Sequence, residues 1–256
     1  MKQRIIGAIL TLLVCGPGLI LGGVWLKVLV AAVALIASYE YTSIRNKRFN
    51  IAIYILMVVF IAAINVLPQR STGIILFYIM LLFFFGILFE DISMDDISST
   101  FMMSIILAFA IMCVLRIYER SSYLVMLYIA IAAFGCDIFA LFTGMAIGKH
   151  KLNPRVSPKK TWEGAIGGWL GGALLSYFFA HFLGYLGFDQ KIILFFSLTL
   201  PIISQIGDLS FSLIKRNYEV KDYGSLIPGH GGILDRIDSL LFCLIFFGSV
   251  GVFFGL

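Results

Sequence analysis

Two carboxylates inside apolar segments are candidate functional side chains of this sequence. Asp137 and Asp208 each lie in a long apolar run, and an ionisable residue in a membrane helix is costly enough to indicate function by default. A polar stripe around Asp208 follows helical spacing, with intervals of four, four and three residues: Ser204, Asp208, Ser212 and Lys215. The stripe shares one helix face and predicts a hydrophilic cavity, with a row of helix–helix hydrogen bonds as the alternative.

The densest polar segment of the chain, 215–238, follows this stripe. Its proline and glycines at 227–232 predict a loop whose backbone can approach a ligand, and N–H groups at a helix start favour phosphate. Asp235 and Asp238 are three residues apart in the next helical turn, so both carboxylates point the same way. With Asp208 they are suited to hold one or two hard divalent cations. A favourable interaction with the helix dipole would explain why one of these acids is present, but it would not explain the whole polar segment 215–238.

A basic segment, 149–164, follows the apolar run that contains Asp137. Its lysines and arginines fit anionic lipid headgroups, at about 1 kcal/mol each, or a nucleoside triphosphate. An ordinary cytoplasmic loop would carry this charge too, but it would not need the Ser-Pro-Lys-Lys-Thr-Trp-Glu-Gly sequence that opens the next helix. Behind it, Gly164, Gly168 and Gly172 form a ridge of small residues, which predicts close helix packing or a homodimer through glycine-rich faces.

Membrane helices are the elements that must position these groups. The chain is 61% hydrophobic and 13% charged, with a mean hydropathy of +1.01. An average soluble domain is about 45–50% apolar and about 25% charged, so a water-soluble fold is excluded. The four cysteines form no Cys-x-x-Cys pair and are interpreted as packing residues.

The predicted fold is an all-α, polytopic integral membrane bundle of about nine helices, each needing roughly 20 apolar residues. The apolar runs lie at 5–21, 24–39, 50–67, 72–89, 100–117, 122–147, 163–186, 191–214 and 233–255. The first two, joined through glycines, are either short spans or a re-entrant pair. No small-residue cleavage site follows the basic N-terminus, so the first run is predicted to be a retained helix rather than a signal peptide.

The distribution of basic residues predicts the orientation of the helices. With the N-terminus inside, fourteen Lys and Arg fall on the cytoplasmic side and five on the other. Loops 148–162 and 215–232 then both face the cytoplasm, where nucleotides are found. We therefore predict N-terminal membrane helices over 1–121 and catalytic membrane helices over 122–256.

Two further acidic features receive structural interpretations. Glu90, Asp91, Asp95 and Asp96 precede a helix predicted to begin at 98–100, where acids and hydroxyls serve as caps; a metal site is the alternative. Glu40 is predicted to end the second helix at the membrane interface.

A stretch of 27 residues carries a specific pattern of charged residues and glycines. Its fixed positions are Ser212, Lys215, Arg216, Lys221, Asp222, Gly224, Ile227, Pro228, His230, Gly231, Gly232, Asp235, Arg236 and Asp238. The stretch resembles the signature of the phosphatidate cytidylyltransferase (CDP-diacylglycerol synthase) family. The resemblance extends upstream through 205–208 and 157–164, whereas the N-terminal half resembles the family only in hydropathy. The segment around Asp137 departs from the family pattern at Leu141 and Met145.

The resemblance implies Mg²⁺-dependent transfer of CMP from CTP to phosphatidic acid, giving CDP-diacylglycerol and pyrophosphate. One or two metal ions would be held by Asp208, Asp235 and Asp238. The implied catalytic set also contains Lys215, Arg216, Lys221, Asp222, His230 and Arg236, with the basic side chains neutralising phosphates and His230 donating to pyrophosphate. The implied substrate-binding residues are Asp137, Ser157, Lys159, Lys160, Ser212, Gly231 and Gly232.

The predicted partners are these two substrates and the lipid bilayer, without nucleic acid, and the predicted location is a bacterial inner membrane. A transporter is one alternative, and it would distribute polar groups on both sides of the membrane. Another lipid-headgroup enzyme is the second alternative, either a CTP-dependent lipid kinase or a CDP-alcohol phosphotransferase. The Asp-Gly-x-x-Ala-Arg motif of the latter is absent from the sequence.

Overall fold

The computed structural model describes residues 16–44, 51–90, 92–226 and 231–255. The helices are α1 (Gly23–Ile44), α2 (Ile51–Val66), α3 (Ser71–Leu88), α4 (Met94–Arg120), α5 (Tyr123–Ile147), α6 (Trp162–Phe182), α7 (Gln190–Asn217) and α8 (Leu234–Gly251). The strands are β1 (Lys151–Asn153) and β2 (Ser157–Thr161). Short 3₁₀ turns lie at Pro68–Arg70, Gly184–Gly187 and Val252–Phe254.

The predicted all-α, multi-pass membrane architecture is confirmed. Within the described ranges, seven helices are long and apolar enough to cross a membrane, and α2 is a shorter apolar helix of 16 residues. Most of the predicted first helix, 5–21, lies outside the described residues. The prediction that it is a retained helix rather than a signal peptide falls on the same residues. Residues 16–21 are helical, and Gly22 and Gly23 have positive φ angles of 62° and 52°. The predicted glycine-rich joint is therefore a break before α1.

Helices α4 and α7 extend beyond their predicted ends. α4 begins at Met94 rather than near residue 100, because Ser93 and Asp96 cap it reciprocally. The Ser93 N–H donates to Asp96 Oδ2 at 3.0 Å, and the Asp96 N–H donates to Ser93 Oγ at 3.2 Å. The capping role is thus confirmed for Asp96, while Asp91 lies outside the described residues. α7 continues to Asn217, so the loop predicted to begin at 215 begins after that residue.

The predicted loop 148–162 contains an antiparallel β-hairpin, which the sequence did not predict. Lys151 pairs with Thr161 and Asn153 pairs with Ser157, with an irregularity between these pairs. The hairpin connects α5 to α6 and fixes the direction of each side chain on β2, because neighbouring residues of a strand point to opposite faces.

The chain divides into two compact units, which we describe separately. The first unit comprises Met1–Met112 and Asp222–Asp235, and the second comprises Cys113–Lys221 and Arg236–Leu256. The functional division proposed at residue 121 stays a prediction.

Polar side chains cross-link the helices of the first unit. Tyr41 Oη donates to Ser99 Oγ at 2.9 Å, and Tyr78 Oη lies 2.6 Å from Ser104 Oγ. The prediction for Glu40 is wrong, since α1 continues to Ile44 and the Glu40 side chain is buried.

Glycines allow α5 and α6 of the second unit to pack backbone against backbone. A Cβ atom on Gly168 would lie 2.7 Å from both Ala140 Cβ and the Cys136 carbonyl oxygen. Cβ atoms on Gly164 and Gly172 would lie 2.8 Å and 2.9 Å from α5 carbonyl oxygens. The close-packing alternative for this glycine ridge is therefore confirmed, while a homodimer stays a prediction.

We expect Gly168→Ala to destabilise the protein by about 1–3 kcal/mol, because the added methyl group meets backbone that cannot move independently. Thermal unfolding in detergent measures the effect. Gly73→Ala on α3 is the matched control, since nothing lies within 4 Å of a Cβ atom there. Equal unfolding temperatures for the two variants would contradict the observed packing.

Candidate active site

Three carboxylates on three different helices lie together in the second unit. We call Asp137 on α5, Asp208 on α7 and Asp238 on α8 the carboxylate cluster. They are near enough to one another for their charges to interact. The sequence identified all three residues, and the structure places them in one cluster.

Asp208 is held by partners on both of its oxygens. Lys160 Nζ on β2 lies 2.5 Å from Oδ2, and Ser212 Oγ, one turn further along α7, donates to Oδ1 at 3.3 Å. The side chains of Lys160 and Asp208 are 27% and 26% exposed, so this ion pair is only partly screened by solvent. The contact confirms that Asp208 and Ser212 share one face of α7. Ser204, of the same stripe, donates to the Ala133 carbonyl oxygen of α5 at 3.4 Å, and the hydrophilic cavity stays a prediction.

Asp238 is the most enclosed member of the cluster, at 8% exposed. Its Oδ1 accepts the N–H of Ser239 at 2.8 Å. α7 and α8 approach closely here, because a Cβ atom on Gly207 would lie 3.0 Å from the Asp238 carbonyl oxygen and from Phe242 Cβ. The absent side chain at Gly207 therefore helps to bring Asp238 toward α7.

Asp137 has a partner that sequence reasoning missed. Ser239 Oγ donates to Asp137 Oδ2 at 3.3 Å. The 27-residue signature ends at Asp238, and a serine in an apolar helix carries no further signal in the sequence. The contact became evident only when α5 and α8 were placed side by side.

Three basic side chains balance the carboxylate cluster in formal charge. The charges of Lys160, Lys215 and Arg236 act on it. Lys215 is 8% exposed, whereas Arg236 is exposed. Three positive and three negative groups give a formal sum of zero within the unit.

Backbone and side-chain contacts fix the hairpin that carries Lys160. At its base, Glu163 accepts the N–H groups of Lys149 and His150 at 3.1 Å and 3.2 Å, and His150 Nδ1 lies 2.6 Å from Oε1. At the turn of the hairpin, the Val156 carbonyl oxygen accepts a hydrogen bond from Arg216 Nε at 3.3 Å. A second guanidinium nitrogen of Arg216 donates to the Val220 carbonyl oxygen at 2.9 Å. Arg216, predicted as a phosphate ligand, thus also holds the hairpin against the end of α7.

Other predicted residues of the second unit occupy more open positions. Lys159 is exposed and leaves β2 on the face opposite to Lys160. Ser157 is half-buried on the face shared with Lys159, and Lys221 is exposed after α7. Their roles in binding substrate stay predictions.

The predicted residues of the first unit that the structure describes lie before α8 or in its first turn. Asp235 Oδ2 accepts the N–H groups of Tyr223 and Gly232 at 2.8 Å and 2.9 Å, which folds the loop onto the helix start. Gly231 has a φ of 81°, a conformation that glycine adopts without strain. Asp222 is exposed nearby, and His230 lies outside the described residues together with 227–229.

Among the described residues, no three His, Cys, Asp or Glu side chains are close enough to hold a metal ion as they stand. The donor chemistry of the carboxylate cluster nevertheless fits Mg²⁺, because this ion prefers carboxylate oxygens. Asp208 and Asp238 belong to that cluster, whereas Asp235 belongs to the first unit. The metal-ligand role of all three stays a prediction.

The fold and the carboxylate cluster define the class: a multi-pass integral membrane protein with a charged site among apolar helices and a basic hairpin beside it. Comparison with known families is more specific. The pattern of the cytidylyltransferase family matches residues 2–254, and this chain belongs to that family.

Several bacterial relatives carry the name phosphatidate cytidylyltransferase. That of Thermotoga maritima is 32% identical over 228 residues, which cover 84% of this chain and 83% of the relative. That of Bacillus subtilis is 29% identical over 259 residues, covering 96% of each chain. That of Haemophilus influenzae is 47% identical over 125 residues, which are 48% of this chain and 43% of the relative. The resemblance noted in the sequence is thereby confirmed.

Proposed function

We propose that this chain is a phosphatidate cytidylyltransferase, which transfers CMP from CTP to phosphatidic acid and releases pyrophosphate. The carboxylate cluster with its three basic partners is the observation that carries the proposal, because it brings together acidic groups suited to a cation and basic groups suited to phosphate, in a protein of apolar helices. Family membership and the names of the relatives support the same activity.

The reaction needs charge neutralisation rather than a general base. A phosphate monoester has a second pKa near 6, so a phosphatidate oxygen is largely anionic at pH 7. This oxygen attacks the α-phosphorus of CTP, a new P–O bond forms, and the bond to the bridging oxygen of pyrophosphate breaks. Repulsion between the two anions is the main obstacle, so catalysis consists mostly of in-line positioning and electrostatic stabilisation.

The residues of this chain divide into groups that bind phosphate and groups that bind a cation. Lys215, Lys221 and Arg236 would neutralise phosphates, Arg216 would do so with its remaining donors, and His230 would donate to pyrophosphate. Ser157, Lys159 and Lys160 would bind CTP. These assignments follow the sequence pattern and are supported for Lys160, Lys215 and Arg236 by their influence on the carboxylate cluster.

The charge balance of the site favours a requirement for Mg²⁺. If Lys160, Lys215 and Arg236 turn to substrate phosphates, the carboxylates lose their compensation and need another cation. Asp208 and Asp238 would hold Mg²⁺, with Asp235 the third predicted ligand. Mg²⁺ supplies positive charge to the phosphate oxygens when it is bound.

The membrane location fits a lipid substrate whose acyl chains stay in the bilayer. We propose the bacterial inner membrane, with the site on the cytoplasmic side where CTP is available. The uneven distribution of Lys and Arg supports this orientation. A homodimer remains an open proposal, supported only by the abundance of glycine on α6.

The test uses purified protein in detergent with phosphatidate, Mg²⁺ and CTP labelled at either the α- or the γ-phosphate. We expect the α label in the lipid and the γ label in pyrophosphate, with both products lost in EDTA and restored by excess Mg²⁺. The γ label in the lipid would indicate a lipid kinase instead. No lipid label from folded protein would contradict cytidylyl transfer.

A further inference from the structure

Glu40 is a buried carboxylate in α1, far in sequence from the 27-residue signature at 212–238. Its side chain is 4% exposed. Burying an ionisable carboxyl group is costly unless hydrogen bonds compensate for the lost water. The partners of Glu40 therefore indicate why it is there.

Both oxygens of Glu40 accept hydrogen bonds from the backbone at the start of α8. Oε1 accepts the N–H of Ile233 at 2.8 Å, and Oε2 accepts the N–H of Leu234 at 2.9 Å. These N–H groups have no partner within the helix, and a carboxylate is favourable near a helix N-terminus. Glu40 thus caps α8 from a distant part of the chain.

Asp235, in the first turn of α8, is a second carboxylate that binds backbone N–H groups near those bound by Glu40. As described above, Asp235 binds the N–H groups of Tyr223 and Gly232. Together, the two carboxylates bind four backbone N–H groups between residues 223 and 234. The described residues on both sides of 227–230 are therefore held through their backbone at Tyr223 and at 232–234.

The position of Glu40 also explains two glycines of the family pattern. A Cβ atom on Gly232 would lie 2.5 Å from Glu40 Oε2, and one on Gly224 would lie 2.9 Å from Oε1. The carboxylate therefore leaves no room for a side chain at either position. The sequence suggested phosphate for N–H groups at this helix start, but those of Ile233 and Leu234 are bound to Glu40.

We propose that Glu40 is a positioning residue for the reaction: its carboxylate fixes the backbone of Ile233 and Leu234 at the start of α8, and so orients Asp235. Glu40 touches backbone rather than substrate in this arrangement. The inference rests on the proposed function, because its consequence is measured in cytidylyl transfer.

The test compares Glu40→Gln and Glu40→Ala with Ser43→Ala, a control on the same helix whose hydroxyl donates only to the Tyr39 carbonyl oxygen. Glutamine keeps one acceptor oxygen, whereas alanine keeps none. We expect kcat per folded molecule to fall roughly 10-fold to 100-fold in Glu40→Ala and less in Glu40→Gln. KM for CTP and for phosphatidate should change little, because the contact that is lost is not made to substrate.

Hydrogen exchange of the peptide 222–235 supplies a readout that does not depend on activity. We expect faster exchange in Glu40→Ala than in wild type or Ser43→Ala. Faster exchange with unchanged kcat would overturn the positioning role, and unchanged exchange would overturn the contact itself. If folded wild-type protein makes no CDP-diacylglycerol, the proposed function fails, and the exchange result alone decides whether Glu40 holds the loop.

Gly232→Ala distinguishes contact with Glu40 from contact with substrate. The added methyl group should lower kcat strongly in wild type but much less in the Glu40→Ala background, where the obstructing carboxylate is gone. An equal loss in both backgrounds would mean that Gly232 is required for another reason, and would contradict the proposed role of Glu40.

Discussion

Cytidylyl transfer by Asp208→Asn is expected to be about 100-fold or more below that of wild type, with the fold retained. Asn has nearly the same shape as Asp and still accepts the hydrogen bond from Ser212. It cannot supply the negative charge that pairs with Lys160 or that would hold a cation. Steady-state kinetics in detergent, with thermal unfolding as the check on folding, measure the effect.

Ser210→Ala is the matched control for this substitution. Ser210 lies two residues further along α7, and its hydroxyl donates to the Ile206 carbonyl oxygen of the same helix. Its removal should leave activity within about twofold of wild type, as expected for a local side chain-to-backbone contact. Substantial turnover by Asp208→Asn would refute the cation-binding role of Asp208.

A second large effect is expected for Lys160→Met, which keeps most of the side-chain length and removes the charge. We expect kcat/KM for CTP to fall about 100-fold, because the variant lacks the proposed phosphate ligand and leaves Asp208 without its ion pair. KM for phosphatidate should change much less. Initial rates at varied CTP and varied phosphatidate separate the two effects.

Lys151→Met provides the control, since it removes the same charge from the exposed face of β1. The double variant of Lys160→Met with Asp208→Asn should lose less than the product of the two single losses, because each removes one partner of the same pair. Fully multiplicative losses would mean that Lys160 and Asp208 act independently.

Sequence reasoning succeeded where the information is local. The spacing of Asp208 and Ser212 follows directly from the helix period, and the structure contains that contact. Ser93 and Asp96 are three residues apart, as a helix cap requires, but counting apolar residues placed the start of α4 too late. That cap is visible in the sequence, so the error came from weighting hydropathy above capping.

Other features depend on parts of the chain that the sequence does not bring together. The β-hairpin depends on His150 meeting Glu163, and on Arg216 reaching Val156, 60 residues away in sequence. Glu40 was misinterpreted because its backbone partner Ile233 is 193 residues away. A buried acid near a helix end resembles an interfacial residue until that partner is known.

The separation between Glu40 and its partners also constrains the order in which the protein can be built. Ribosomal synthesis delivers α1 long before Leu234, so a further 194 residues must be made after Glu40 before both of its backbone partners exist. By contrast, α5 and α6 are joined by a short hairpin and can associate soon after they are made. The first unit is thus completed by a segment synthesised 194 residues after Glu40, and a chain truncated before residue 233 would contain Glu40 without these partners.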